Sequence, residues 1–104
     1  MVIVIVRMQA HPEKFLELKQ TLIALSEATR KEKSCLHYSI FQDIERDNSF
    51  SLVMHWESRE DLDAHLSSNE FAVLMGTRSL LRSSPEIMIN TVSESSALKY
   101  ERRQ

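Results

Sequence analysis

The chain has 104 residues and a formal net charge of -2, from 13 basic and 15 acidic residues. A chain of this length forms one domain, and an apolar content of 42% excludes a disordered protein. Because the basic residues form no stripe, nucleic acid is not expected as a partner. The single cysteine, Cys35, excludes an internal disulfide and suits a reducing compartment, so we expect a cytoplasmic protein.

The chain opens on an apolar run that predicts a first strand over residues 2–9. Valines at positions 2, 4 and 6 alternate with isoleucines at 3 and 5, so both faces are apolar and need cover. The run stops at Arg7, too short to span a bilayer, and it lacks the basic start of a signal peptide. No membrane partner is expected.

A first helix is predicted to begin at His11, because Pro12 suits the first helical turn and Glu13 favours the positive end of the helix dipole. Its core-facing stripe recurs at three- and four-residue steps: Phe15, Leu18, Leu22 and Leu25. We expect this helix to end between Glu32 and Ser34.

The middle of the chain predicts a hairpin, with strands over 36–43 and 49–56 joined by a charged loop. Ser58 then suits the cap of a second helix that carries Leu62 and Leu66.

Residues 67–69 interrupt the second helix, and helical spacing resumes over 70–81. Pro85 ends this region, and alternation over 86–92 predicts a last strand. We expect a domain over residues 1–93 and a polar C-terminal tail over 94–104.

The order β-α-β-β-α-β with right-handed crossovers gives an antiparallel sheet with the helices on one face. The predicted class is therefore α+β, with a ferredoxin-like βαββαβ topology. The opposite face of the sheet keeps an apolar patch larger than soluble monomers usually expose. A two-fold homodimer with sheet against sheet covers that patch, so we predict one.

The most suggestive residues for chemistry are Trp56, His65 and Phe71, around the second helix. An indole and an imidazole that face one apolar cavity can bind and orient a flat aromatic or quinone-like ligand. Tyr38 either lines the same cavity or packs in the core. The structural alternative, which residue type alone favours, places Trp56 in the core and bonds His65 to a backbone carbonyl.

Two further histidines, His37 and His55, lie on neighbouring predicted strands and can pair across them. Such a pair can act as acid and base or hold a metal, but more often it is solvated or lies at a dimer rim. Because no third ligand is visible, no metal site is expected. The thiol of Cys35 follows the negative end of the first helix, which disfavours a thiolate.

The chain resembles the antibiotic biosynthesis monooxygenase domain of the dimeric α/β-barrel proteins over nearly all of residues 2–92. The resemblance rests on the order and spacing of short segments: HPEK at 11–14, CLHY at 35–38, QD at 42–43, HWES at 55–58, LDAHL at 62–66 and SNEF at 68–71. One departure is Ser34, where many members have glycine before the cysteine.

The resemblance implies a two-fold dimer whose sheets form a barrel, and Trp56 and His65 match positions that line the family's pocket. The family's reactions are mixed: oxygenation of aromatics or quinols without metal or flavin, haem cleavage, and isomerisation of a phosphorylated sugar derivative. Haem cleavage in the family needs an asparagine near the end of the first strand and a histidine ligand in the third helical segment. Here these positions correspond to Val6 or Arg7 and to Met75, so haem is disfavoured.

The sequence therefore predicts a cofactor-independent monooxygenase that acts on a quinol-like or phenolic small molecule and dioxygen. His65 is the expected catalytic base, and Trp56, Phe71 and Tyr38 are expected to contact the substrate. Two alternatives stay open: an isomerase or other small-molecule processing enzyme on the same pocket, and a non-enzymatic ligand-binding dimer.

Overall fold

The computed structural model describes residues 1–101, which contain four strands and three α-helices. The strands are β1 (Val2–Gln9), β2 (Cys35–Gln42), β3 (Ser49–Trp56) and β4 (Glu86–Thr91). The α-helices are α1 (Phe15–Arg30), α2 (Arg59–Leu66) and α3 (Asn69–Met75). Short 3-10 segments at Pro12–Lys14 and Gly76–Leu80 precede α1 and follow α3.

The sheet has the strand order β2-β3-β1-β4, and every neighbouring pair is antiparallel. The even-numbered side chains of β1 are buried, and they form one core with residues of all three helices. The core residues of the helices are Leu18, Leu22, Leu62 and Leu74. This arrangement confirms the predicted α+β, ferredoxin-like βαββαβ fold.

A bulge near the start of β2 decides which of its side chains face the helices. Cys35 lies opposite Trp56 and His37 opposite His55, so Leu36 is the extra residue, and it is 55% exposed. Because strand side chains alternate between faces, this insertion puts Cys35 and Tyr38 on the helix-covered face together.

The helix boundaries differ from the prediction at three places. The α-helix α1 begins at Phe15 rather than at His11, since Pro12–Lys14 form a 3-10 turn before it. The helix α1 ends at Arg30 because its last turn tightens, with the Glu32 amide donating to the Thr29 carbonyl at 3.0 Å. The helix α3 gives way to the 3-10 segment at Gly76, where the Thr77 hydroxyl donates to the Leu74 carbonyl at 2.6 Å.

The sheet face away from the helices carries apolar side chains. Ile3 and Ile5 are partly exposed there, and Phe41 and Met88 are 53% and 52% exposed. We call this surface, formed by the odd-numbered positions of β1 and β3 and their neighbours, the helix-free face.

Residues 94–101 have no regular secondary structure and are exposed, and the last three residues of the predicted tail lie outside the described residues. Within residues 1–101, no helix has the length and apolar character needed to cross a membrane.

Candidate functional site

Trp56 is the last residue of β3 and is completely buried. Its backbone pairs with Val2 on one side and Cys35 on the other, which fixes the indole beneath the helices. The sheet therefore supplies a rigid wall to the site.

His65 reaches the same place from α2. The Ser58 hydroxyl caps this helix by accepting from the Asp61 amide at 3.2 Å, which fixes where the helix begins. Leu62 and His65, three residues apart, then face the core together, and both are buried. The imidazole lies against Trp56, with 4.6 Å between ring centroids and 32° between ring planes.

Phe71 completes an aromatic cluster with these two residues. Ser68 caps α3 by accepting from the Phe71 amide at 3.2 Å, so the phenyl ring follows directly on the start of that helix. Its edge meets His65, with 5.8 Å between centroids and 70° between planes. Phe71 is only partly buried, so it lies between the histidine and the surface.

Tyr38 lies on the helix-covered face of β2, opposite Met54 rather than Trp56. Its carbonyl accepts from the Arg30 guanidinium at 3.1 Å, and that guanidinium lies 5.6 Å from the centre of its ring. Burial raises the pKa of Tyr38 to about 12, so its phenol keeps its proton at neutral pH. Among the described residues, no ring contact joins Tyr38 to the cluster.

A residue that the sequence analysis did not select, Glu32, approaches the cluster. Its carboxylate Oε1 lies 3.7 Å from His65 Nδ1, and its side chain is 36% exposed whereas that of His65 is 3% exposed. Glu32 lies in the turn between α1 and β2. The Glu57 amide donates to the Ser34 carbonyl at 3.1 Å, which ties this turn to the end of β3.

Two polar atoms of the cluster have no hydrogen-bond partner in the described structure. They are Trp56 Nε1 and His65 Nδ1, both fully buried. Buried polar atoms are almost always hydrogen-bonded, so two unpartnered atoms on adjacent rings require an explanation. A bound molecule with an oxygen acceptor is one explanation for Trp56 Nε1, and a closer approach of the Glu32 carboxylate is one for His65 Nδ1.

The environment of His65 keeps its imidazole neutral. Burial lowers the pKa of His65 below its ordinary value, and the nearby charges of Glu32 and Glu70 oppose that shift only in part. A neutral imidazole has one nitrogen with a free lone pair and can accept a proton. Chemically, the site therefore offers an indole N–H donor beside an imidazole base.

The cluster is closely packed. Surface cavities of about 430, 680 and 410 Å³ lie elsewhere on the described residues, and neither Trp56 nor His65 lines any of them. The expected open cavity beneath the helices is thus not among these three. Access to the two rings requires a movement of the cover that includes Phe71.

His37 and His55 do pair across β2 and β3, on the helix-free face. Their ring centroids are 4.9 Å apart, and the Ser39 hydroxyl lies 2.7 Å from His37 Nε2. Burial, and then the neighbouring His37, lower the pKa of His55. No group of three or more residues within 1–101 is arranged to hold a metal ion.

A four-stranded sheet with an imidazole buried beneath its helices defines a ferredoxin-like α+β protein with the components of a small-molecule site. The profile of the antibiotic biosynthesis monooxygenase family matches residues 1–76, and the chain belongs to this family. Membership supports a general role in processing small molecules, in line with the sequence resemblance.

Solved structures of other proteins have the same fold. A candidate antibiotic biosynthesis monooxygenase from Deinococcus radiodurans superposes with a TM-score of 0.88 at 24% identity, covering 96% of this chain and 100% of that one. A conserved protein from Methanosarcina mazei Go1 superposes with a TM-score of 0.80 at 28% identity, covering 86% and 89%. The first likeness, at its low identity, establishes the fold alone.

A curated relative, an uncharacterized protein of Synechocystis sp., is 34% identical over 87 residues, which is 83% of this chain and 57% of the relative. The chain therefore spans little more than half the length of that relative.

Proposed function

We propose that the protein is a cofactor-independent monooxygenase that oxidises a quinol-like or phenolic small molecule with dioxygen. The observation that carries the proposal is the unpartnered buried donor Trp56 Nε1 on an indole whose ring centroid lies 4.6 Å from that of the buried His65 imidazole. A phenolic ligand presents both an oxygen acceptor and a flat apolar body, which such a pair of rings suits.

In this proposal each residue has a distinct task. The indole N–H of Trp56 donates to a substrate oxygen and fixes the orientation of the ring. The neutral imidazole of His65 takes the phenolic proton, because its lowered pKa leaves it unprotonated at neutral pH. Phe71 closes the site from the α3 side and keeps water out. We assign Tyr38 to the supporting wall rather than to proton transfer, since burial raises its pKa to about 12.

The chemistry balances without an added reductant. A hydroquinone and dioxygen give a hydroxyquinone and one molecule of water, and all the electrons that dioxygen takes come from the substrate. Deprotonation of the quinol makes the ring electron-rich enough to transfer the first electron. The protein therefore has to supply binding, orientation and a base, and these are the capacities that the cluster combines.

The test is oxygen consumption with a panel of substituted hydroquinones, together with mass analysis of the products. The matched variants are His65→Ala and His11→Ala, since His11 lies outside the cluster at the start of the Pro12–Lys14 turn. We expect His65→Ala to lose most of the activity and His11→Ala to keep it. No consumption above that of His65→Ala would overturn the proposal, and turnover without oxygen would indicate an isomerase instead.

A second candidate is a ligand-binding dimer without catalysis. It is favoured by the closed packing of the cluster, because a completely buried Trp56 also serves a purely structural core. Under this alternative the panel gives no turnover, while some quinones still quench Trp56 fluorescence.

The proposal includes a two-fold homodimer in which two helix-free faces pack on each other. The exposed side chains of Phe41 and Met88 and the partly exposed Ile3 and Ile5 support it, because this face belongs to the two central strands and both edges. Sedimentation velocity at micromolar concentration is expected to give the dimer. We assign residues 1–93 to the dimerising domain and 94–104 to a tail, in a cytoplasmic protein.

A further inference from the structure

The turn between α1 and β2 brings a carboxylate to the buried imidazole. Glu32 Oε1 lies 3.7 Å from His65 Nδ1, and that nitrogen has no hydrogen-bond partner. The turn is fixed at both ends: the Cys35 amide donates to the Glu32 carbonyl at 3.1 Å, and the Glu57 amide donates to the Ser34 carbonyl at 3.1 Å. The backbone of the turn therefore holds Glu32 beside the cluster.

The surroundings of His65 single out Glu32. The rings of Trp56 and Phe71 occupy two sides of the imidazole and carry no charge. Two carboxylates act on it, Glu32 from the turn and Glu70 from the first turn of α3, and Glu32 has the larger effect. Only the Glu32 carboxylate lies within ion-pairing distance of His65 among the described residues.

We infer that Glu32 is the positioning residue for His65, holding the proton on Nδ1 so that Nε2 carries the lone pair that acts as the base. The inference rests on the proposed function, which makes His65 a base. In a neutral imidazole one nitrogen donates and the other accepts, and the partner of the donor decides which is which. A carboxylate accepts and cannot donate, so it selects the tautomer with the proton on Nδ1.

The same carboxylate stabilises the product of proton transfer. When His65 Nε2 takes a phenolic proton, the imidazole becomes a cation in a buried place. Burial disfavours that cation because it loses its solvation, and the negative charge of Glu32 compensates for part of this cost. In hydrolase triads a carboxylate stabilises the imidazolium form of the base histidine in the same way.

The distance of 3.7 Å exceeds a hydrogen bond, but the negative charge of the carboxylate already favours a proton on the nearer nitrogen, Nδ1, in the protein without ligand. Catalytic hydrogen bonds are often long without substrate and shorten when the site fills. Glu32 has room to move because its side chain is 36% exposed, whereas His65 is fixed by packing. We expect the carboxylate to approach the ring when a ligand binds Trp56.

The direct test is nuclear magnetic resonance of the His65 ring, which needs no substrate. Nitrogen-15 shifts report the tautomer, and a pH titration reports the pKa. We expect the wild type to carry its proton on Nδ1. Glu32→Gln keeps an oxygen acceptor but loses the charge, so the tautomer persists and the pKa of His65 falls. Glu32→Ala removes both, so the tautomer preference also weakens.

Matched variants separate a specific effect from general disturbance. Glu57→Gln removes an exposed carboxylate at the end of β3 and should leave the His65 signals unchanged. Glu32→Asp keeps the charge on a shorter side chain, so the pKa of His65 should lie between those of the wild type and Glu32→Gln. An unchanged tautomer and pKa in a folded Glu32→Ala protein would overturn the inference, as would an equal shift in Glu57→Gln.

Kinetics then distinguish this inference from the proposed function. If the enzyme consumes oxygen, Glu32→Gln should lower kcat by about tenfold or more with little change in KM, and shift the His65 limb of the pH profile to lower pH. If no substrate is oxidised while the resonance effects hold, the function fails and the pairing stands. If oxygen is consumed but Glu32→Gln matches the wild type in kcat and pH profile, the positioning role fails alone.

Discussion

The rings of Trp56 and His65 lie against each other, with centroids 4.6 Å apart and planes tilted by 32°, and each has a buried ring nitrogen without a partner. One ring is fixed by the sheet and the other by a capped helix. Their contact is therefore a property of the fold, and it can be tested by changing one ring at a time.

Replacing the indole separates packing from hydrogen bonding. Trp56→Phe keeps an aromatic ring and removes an unpartnered donor, so the free energy of unfolding should fall by less than in Trp56→Ala. The alanine variant should lose about 3–5 kcal/mol, because it leaves a large cavity in the core. Urea unfolding measures both. If the N–H orients the substrate, Trp56→Phe should lose activity while staying folded. Full activity in that variant would exclude the indole N–H as the group that orients the substrate.

The cap at the start of α2, the helix that carries His65, gives a second prediction. Ser58→Ala should reduce the free energy of unfolding by about 1 kcal/mol, because the Asp61 amide loses its acceptor. Since the cap fixes the start of α2, the His65 resonances should broaden or shift as well. Ser67→Ala at the other end of α2 is the control, and an equal effect there would show that the cap has no special role.

Much of this site follows from the sequence. Alternation predicts the strand over 49–56 with the bounds that the structure has, and helical spacing predicts His65 on the same face as Leu62. The approach of Trp56 and His65 is therefore predictable from the sequence. The ferredoxin-like order of elements predicts that the helices pack on one face of the sheet, which brings the second helix to the strand that carries Trp56.

Glu32 could not be found in the same way. The sequence predicts a first helix that continues to residues 32–34, which would place Glu32 on the helix itself. The helix ends at Arg30 instead, and the residues after it form a turn toward the end of β3. Helix ends are decided by one or two hydrogen bonds, and the local sequence here has no glycine to mark the end. The bulge at Leu36 likewise cannot be predicted from the residues around it.

The free energy of unfolding should decrease at acid pH in part because His65 is buried. Its pKa in the folded protein lies below the ordinary value of about 6.5, mainly through burial. Between the two values the unfolded chain binds more protons, so this contribution to stability is present above about pH 6.5 and is lost as the pH falls through the window below it. Urea unfolding from pH 8 to pH 5 should show a shallower decline for His65→Gln than for the wild type. Parallel curves would contradict a lowered pKa.

The proposed dimer can be tested with a pair of matched substitutions. Met88 is 52% exposed on the helix-free face, whereas Ile44 is 99% exposed in the loop between β2 and β3. A lysine at Met88 would place a charge between the two sheets, so Met88→Lys should give a monomer by sedimentation velocity. Ile44→Lys introduces the same charge outside the face and should stay dimeric. A dimeric Met88→Lys would show that the subunits meet elsewhere.

The histidine pair on the same face predicts that acid weakens this dimer. Burial and the adjacent His37 already lower the pKa of His55 in the single chain. Packing a second sheet on it would remove more water and disfavour the charged form further, so protons bind the monomer better than the dimer. The dissociation constant should therefore rise as the pH falls from 7.5 toward 5.5, and the His37→Gln/His55→Gln double variant should lose most of that dependence. Arg7 on β1 and Glu86 on β4, which pair with each other, also belong to this face or its edge. A pH dependence that persists in the double variant would assign the effect to other groups.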